Sequence, residues 1–247
     1  MSQTVLITGA AMGLGASLAS RFYESGYCVA VTDLNLEGVE ALANSLDATG
    51  ERVIAFSLDV TKKADFVDAI ARCEAKFGRC DVLINNAAMT PTTPVMQIEQ
   101  QEFDTVIAIN LRGTLFGCQV FGQYFLDKGY GRIINMASLA GQMGGTASGA
   151  HYAASKGGII TLTKLFAREF AANGVTVNAI APGPVDVAST REKVPAEKLE
   201  HIINTMVPTK KMSDPDFIAQ MAVLLAAESA GSVTGTCWDA NGGIFMR

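Results

Sequence analysis

Histidine is almost missing from this chain of 247 residues: there are only two, His151 and His201, with no ligand spacing around either. That excludes the usual zinc centres, which draw on clustered His and Cys, and no metal is expected. Charge is also sparse, at 17% of residues with a net charge of −5 and no basic stripe. Nucleic-acid binding therefore has no electrostatic footprint. No apolar run reaches the ~18 residues that a membrane span requires, so no membrane partner is expected. The first strand pattern starts by Gln3 or Thr4, so no secretory leader is expected. The five cysteines are scattered and odd in number (Cys28, Cys73, Cys80, Cys118, Cys237). They read as reduced core thiols of a cytoplasmic protein rather than a disulfide framework. Linkers, repeats, low-complexity tracts and charge blocks are absent too, so a single domain over 1–247 is expected.

What is present is alternation. Short apolar runs at Thr4–Thr8, Cys28–Thr32, Val53–Ser57, Val82–Asn85, Ile133–Met136, Val175–Ala181 and Thr236–Ala240 read as buried strands. Amphipathic stretches at 13–25, 36–47, 62–77, 99–127, 151–173 and 213–227 read as helices. The pattern predicts an α/β Rossmann fold: one doubly wound parallel sheet of about seven strands, helices on both faces, ligand crevice at the carboxyl ends of the strands. The segment from Gly183 to Met212 breaks the rhythm just after a strand, and a lid is expected at about 184–212.

The chemistry-bearing residues sit at strand ends. After the first strand comes Thr8-Gly9-Ala10-Ala11-Met12-Gly13-Leu14-Gly15, then a helix. Glycines admit a pyrophosphate close to the backbone, and the helix start offers N–H groups and a favourable dipole. Asp33 ends the second strand, placed to accept hydrogen bonds from the adenosine ribose hydroxyls and to repel a 2′-phosphate. No basic residue follows it in Leu34-Asn35-Leu36, and Met12 stands where one could greet that phosphate. The cofactor expected is NAD rather than NADP. Asp59, with Val60 beside it, is placed for the adenine amino group, and Asn86-Ala87-Ala88 for the ribose and the loop beneath it.

Tyr152 and Lys156 are four apart on a helix and so share a face. A lysine cation about 5 Å from a phenol, at an effective dielectric of about 20, favours the phenolate by roughly 3 kcal/mol. That would draw the tyrosine toward the neutral range for proton exchange. Ser138 lies upstream, at the end of the fifth strand. With the Thr8–Gly15 loop, Asp59, Asn85-Asn86-Ala87, Asn110 and Pro182-Gly183 in order, the whole chain resembles the short-chain dehydrogenase/reductase family.

The resemblance implies roles. Tyr152 is the general acid/base; Lys156 tunes it and bonds the nicotinamide ribose; Ser138 holds the reacting carbonyl. Asn110 holds a water that links Lys156 to solvent, and Pro182-Gly183 with Val185 closes on the nicotinamide. Three departures stand out: Ala88 where Gly is frequent, Val187 where Thr is frequent, and Ala240-Asn241-Gly242-Gly243 where Val-Asp-Gly-Gly is frequent. The second leaves open how the carboxamide is fixed, and the third is expected to bear on subunit contacts.

Substrate walls are expected from 90–94, from 140–148 and from the segment after Gly183. These give Ala140, Gln142, Met143, Val187 and Met206, with Arg191 and Lys193 on the lid able to swing in toward a carboxylate. His151 is expected to be exposed at a helix start. The leading expectation is an NAD-dependent dehydrogenase of a secondary alcohol and its ketone, acting on a small molecule. A 3-oxoacyl-thioester reductase is the alternative enzyme, and a non-catalytic nucleotide sensor the alternative of another class. The resemblance also implies a homotetramer, to which the apolar faces of 99–127 and 151–173 are suited.

Overall fold

The computed structural model describes residues 2–145 and 147–246. Strands β1 (Thr4–Thr8), β2 (Cys28–Asp33), β3 (Val53–Ser57), β4 (Val82–Asn85), β5 (Gly131–Met136), β6 (Val175–Pro182) and β7 (Cys237–Ala240) form one sheet in the order 3-2-1-4-5-6-7. Every pairing is parallel, from Val5 opposite Val29 to Pro182 opposite Ala240. The expected doubly wound sheet is therefore borne out, with all seven strands in the predicted places.

Alternation of side chains across the sheet builds two cores. Val5, Ile7, Val29 and Val31 point to the face covered by α1 (Gly13–Glu24) and α10 (Pro215–Ala226), where they meet Leu18, Phe22, Ile218 and Leu225. Leu6, Ala30, Leu83 and Ile133 point to the other face. There they meet Phe66 of α3 (Lys63–Phe77), Phe121 and Phe125 of α5 (Gly113–Lys128), and Phe170 of α7 (Ala150–Phe170). The rings of Phe66, Phe121 and Phe125 pack edge to face. With both faces covered, these strands are largely apolar rather than alternating.

The remaining helices are α2 (Leu36–Leu46), α4 (Gln100–Val106), α6 (Ala140–Met143), α8 (Ala188–Lys193) and α9 (Ala196–His201). Asn35 caps α2 by accepting from the Gly38 N–H, and Asp214 caps α10 ahead of Pro215. The stretch expected as one helix over 99–127 is instead α4 and α5 joined by a π-helical turn at Ile107–Arg112. The turn holds Asn110, whose amide is fully buried and bonded outside its own helix. Such turns recur where a helix must aim a polar side chain.

Candidate active site

The ends of β1 and β4 are locked together first. Thr8 Oγ1 accepts from the backbone N–H groups of Asn86 and Ala87, and Asn86 Nδ2 donates to the carbonyls of Thr8 and Gly9, each at 2.9 Å. Asn86 is thus spent on bracing the glycine loop while its residue still lines the cleft. Gly9 has φ +66°, and a Cβ there would stand 2.6 Å from the Ala87 Cα. Only glycine fits. Past it, Met12 precedes α1 in extended conformation with no side-chain cap, so the first N–H groups of α1 are left at the cleft wall.

Asp33 accepts from the N–H of Ala11 at 3.2 Å and of Asn35 at 3.1 Å, which fixes its carboxylate at the cleft edge. Its neighbours there are apolar and outward, Leu34 at 68% exposure and Met12 at 64%. Asp59 accepts from the Thr61 N–H and hydroxyl and lies 3.4 Å from Lys62 Nζ. Burial pushes its carboxyl up, but the Thr61 hydrogen bonds and Lys62 outweigh that and leave it below its ordinary value. Asp59 and Val60 both line the same cleft as Asp33.

Across the cleft, β5 delivers Ser138 and the first turn of α7 delivers Tyr152, with Lys156 one turn on. Burial raises the Tyr152 phenol, and a hydrogen bond with the Ser138 hydroxyl lowers it in part, for a net rise. Lys156 is 3% exposed, and its Nζ donates to the Met136 carbonyl at 2.6 Å, 5.7 Å from the centre of the Tyr152 ring. Burial brings its ammonium down to about 8. Desolvation is the larger effect on the free phenol, so its net direction is upward where a downward one was expected.

Asn110 stands behind this pair. Its Oδ1 accepts from the Met89 N–H, and its Nδ2 donates to the Met89 carbonyl and to Ser155 Oγ, which in turn donates to the Tyr152 carbonyl. The side chain ties the loop after β4 to α7.

Gly9, Gly13, Leu14, Gly15, Ala87, Ala88, Pro182, Gly183 and Val185 line the cleft, as do Ala140, Met143, Val187 and Met206. Its volume is about 690 Å³, in the range of cofactor and ligand sites. Thr146, within the expected wall 140–148, lies outside the described residues. Gln142 is a correction: Ala140 and Met143 share a face of α6, whereas Gln142 points away and donates to Asp239. His151 is another, since it is 1% exposed rather than open. Gly149 makes room for it, because a Cβ there would lie 2.3 Å from the imidazole, and Glu102 faces its Nε2 at 3.5 Å. Asn241 is buried within the chain. It accepts from the Gly243 N–H and packs on Gly183, where a Cβ would meet its Cα at 2.9 Å.

A match to the family model of the short chain dehydrogenases covers residues 3–198. The chain is 35% identical to the 3-oxoacyl-(acyl-carrier-protein) reductase FabG of Staphylococcus epidermidis, over the full length of both. It is 36% identical to the D-threitol dehydrogenase of Mycolicibacterium smegmatis, covering 99% of this chain and 94% of that one. A putative short-chain alcohol dehydrogenase from Sinorhizobium meliloti superposes with a TM-score of 0.91 at 31% identity, covering 99% and 97% of the two chains. A short chain dehydrogenase from Bacillus anthracis gives a TM-score of 0.89 at 32% identity with the same coverage. The chain belongs to the short-chain dehydrogenase family. It is an oxidoreductase acting on CH–OH and C=O groups.

The nicotinamide dinucleotide of the family fits the residues present. Gly13 has φ +58°, and the nearest atoms a Cβ would meet are 3.9 Å away or more, so the loop surface is open where a pyrophosphate would lie against the α1 N–H groups. Gly9, Met12, Gly13, Leu14 and Gly15 would hold it, with Asp33 and Asp59 toward the adenosine. Several cleft residues of this dehydrogenase carried no sequence signal: Met89, Leu199, Ile202 and Ile244. Ile244 reaches the cleft because Gly242 and Gly243, at φ +64° and +87°, turn the chain back after β7. A pair of glycines after the last strand was the only available sign.

Proposed function

We propose that the protein transfers a hydride between NAD(H) and a secondary alcohol or its ketone. The carrying observation is that Ser138, Tyr152 and Lys156 converge on the same cleft that holds the glycine loop and Asp33. Bound NAD(H) supplies the hydride donor or acceptor at its nicotinamide. Ser138 offers its hydroxyl to the substrate oxygen. Tyr152 donates its proton to that oxygen in reduction and takes it back in oxidation. Because burial keeps the free phenol protonated, the resting site is set up as a proton donor. Lys156 uses one of its three N–H groups on Met136 and keeps two for ribose hydroxyls and for the developing phenolate. Asn110 acts as a brace, fixing the Met89 loop against α7.

Asp33 supports NAD over NADP: a 2′-phosphate would face this carboxylate with no cation beside it among the described cleft-lining residues. We take 184–212 as a lid over a single domain. Its two ends are clasped by the Ser213 N–H on the Pro184 carbonyl and the Asp186 N–H on the Ser213 carbonyl, at 2.7 and 2.9 Å. Family resemblance supports a homotetramer and a cytoplasmic location, and Cys28, Cys73, Cys80 and Cys118 are all thiols.

The named relatives favour one second reading, reduction of a 3-oxoacyl thioester. Initial rates with NADH and NADPH, on simple ketones and on acetoacetyl thioesters, test both. The expected result is NADH-dependent ketone turnover; strong NADPH preference with thioesters would replace it by the second reading.

A further inference from the structure

Helix α8 carries two basic side chains, Arg191 and Lys193, and the structure separates them. Arg191 is neutralised within the lid, both its Nε and Nη2 on Asp186 at 2.9 and 2.6 Å. Lys193 is not neutralised: its Nζ donates to the neutral hydroxyl of Thr90 at 2.6 Å, bridging α8 to the loop after β4. Both Lys193 and Thr90 line the cleft, and among its described lining residues Lys193 and Lys156 are the only cations. Lys156 is committed beside Tyr152. The two carboxylates among the described lining residues of the cleft, Asp33 and Asp59, lie at the carboxyl ends of β2 and β3, the opposite, adenosine end.

Since Thr90 Oγ1 accepts from Lys193, its own proton is left to donate. The bridge therefore presents an ammonium N–H and a hydroxyl O–H side by side, two adjacent donors suited to the two oxygens of a carboxylate. One positive charge balances one negative charge. A dianionic phosphomonoester would leave an uncompensated charge in a chain already at −5. The rest of the lid wall is mostly apolar, with Val187, Val194, Leu199, Ile202 and Met206 beside Ser189 and Thr190.

Resting on the dehydrogenase reading above, we propose that Lys193 and Thr90 form the substrate-specificity site for a carboxylate, so that the physiological substrate is a small hydroxy acid and its oxo acid with an apolar body.

The test compares each oxo acid with its amide, a neutral isostere: acetoacetate with acetoacetamide, and levulinate with levulinamide, each with NADH. In the wild type, kcat/KM is expected to favour the acid by about tenfold or more, the size of one charge-assisted hydrogen bond. In Lys193→Met the acid-to-amide ratio falls to near one, and in Lys193→Arg most of it returns. A role as a mere lid latch would lower acid and amide alike and leave the ratio intact, which overturns the proposal. Equal or better turnover of the amides by the wild type also overturns it, while leaving the dehydrogenase reading standing. No NADH-dependent turnover of any carbonyl by an enzyme that still binds NADH would remove both.

Discussion

Replacing Lys156 by methionine should abolish turnover and yet make the free protein more stable at pH 7. The ammonium is 3% exposed with one hydrogen bond, to the Met136 carbonyl at 2.6 Å. Burial takes it from 10.5 to about 8, which corresponds to about 3 kcal/mol against the charged form in the folded chain. Methionine has a similar length and no charge, so it removes that penalty and keeps the volume. It forfeits the bond to Met136, worth about 1–2 kcal/mol. The balance is a gain of about 1–2 kcal/mol, or about 3–6 °C in Tm for a chain of this size.

The pH dependence gives the sharper test. Because the folded-state value lies below the unfolded one, the unfolded chain binds more protons between about pH 8 and pH 10.5. Wild-type stability therefore gains up to about 1.4 kcal/mol per pH unit from this group in that window. The advantage of Lys156→Met should shrink as pH rises from 7 to 9.5. Urea melts of wild type and variant at pH 7, 8 and 9, without cofactor and at one protein concentration, read this directly. A variant less stable than wild type at pH 7, or a gap that does not change with pH, would refute the reasoning.

Asp33→Ala should weaken NADH binding by about 10- to 100-fold, the range of a charged hydrogen bond, and narrow the discrimination against NADPH; fluorescence titration with both cofactors checks it. Gly15→Ala places a Cβ 2.1 Å from the Gly9 carbonyl oxygen and 2.9 Å from the Ala10 Cα. The backbone cannot yield there, so stability should fall by about 1–3 kcal/mol together with NADH affinity. Arg132 is buried, and its guanidinium donates to the carbonyls of Gly131, Gly174, Ala227 and Glu228. Arg132→Met should lower stability by about 2–4 kcal/mol through those orphaned carbonyls, while NADH affinity, measured below the melting range, stays close to wild type.

The sheet was legible because its strands are apolar on both faces and its helices amphipathic, two patterns that differ in period. Thr8–Gly15, Asp33 and Tyr152-x-x-x-Lys156 were legible because local chemistry and position in the strand order agree there. Long-range packing decided the rest. No periodicity announces the π-helical turn at Asn110, which exists because a buried amide meets Met89 and Ser155 from elsewhere in the chain. His151 looked exposed from its place at a helix start; a glycine two residues earlier and Glu102, far off in sequence, bury it. Gln142 was misplaced by one step around a single helical turn. The direction of the Tyr152 shift could not be read from spacing, because desolvation is a property of the assembled site.

The central claim is that Tyr152 moves the proton in an NAD(H)-dependent carbonyl reduction, and Tyr152→Phe tests it most directly. Single-turnover rates with NADH and a reducible ketone should fall by about 10²–10⁴-fold, the range of general acid catalysis, while NADH affinity stays within a few-fold of wild type. Retention of the wild-type rate by the phenylalanine variant would contradict the account.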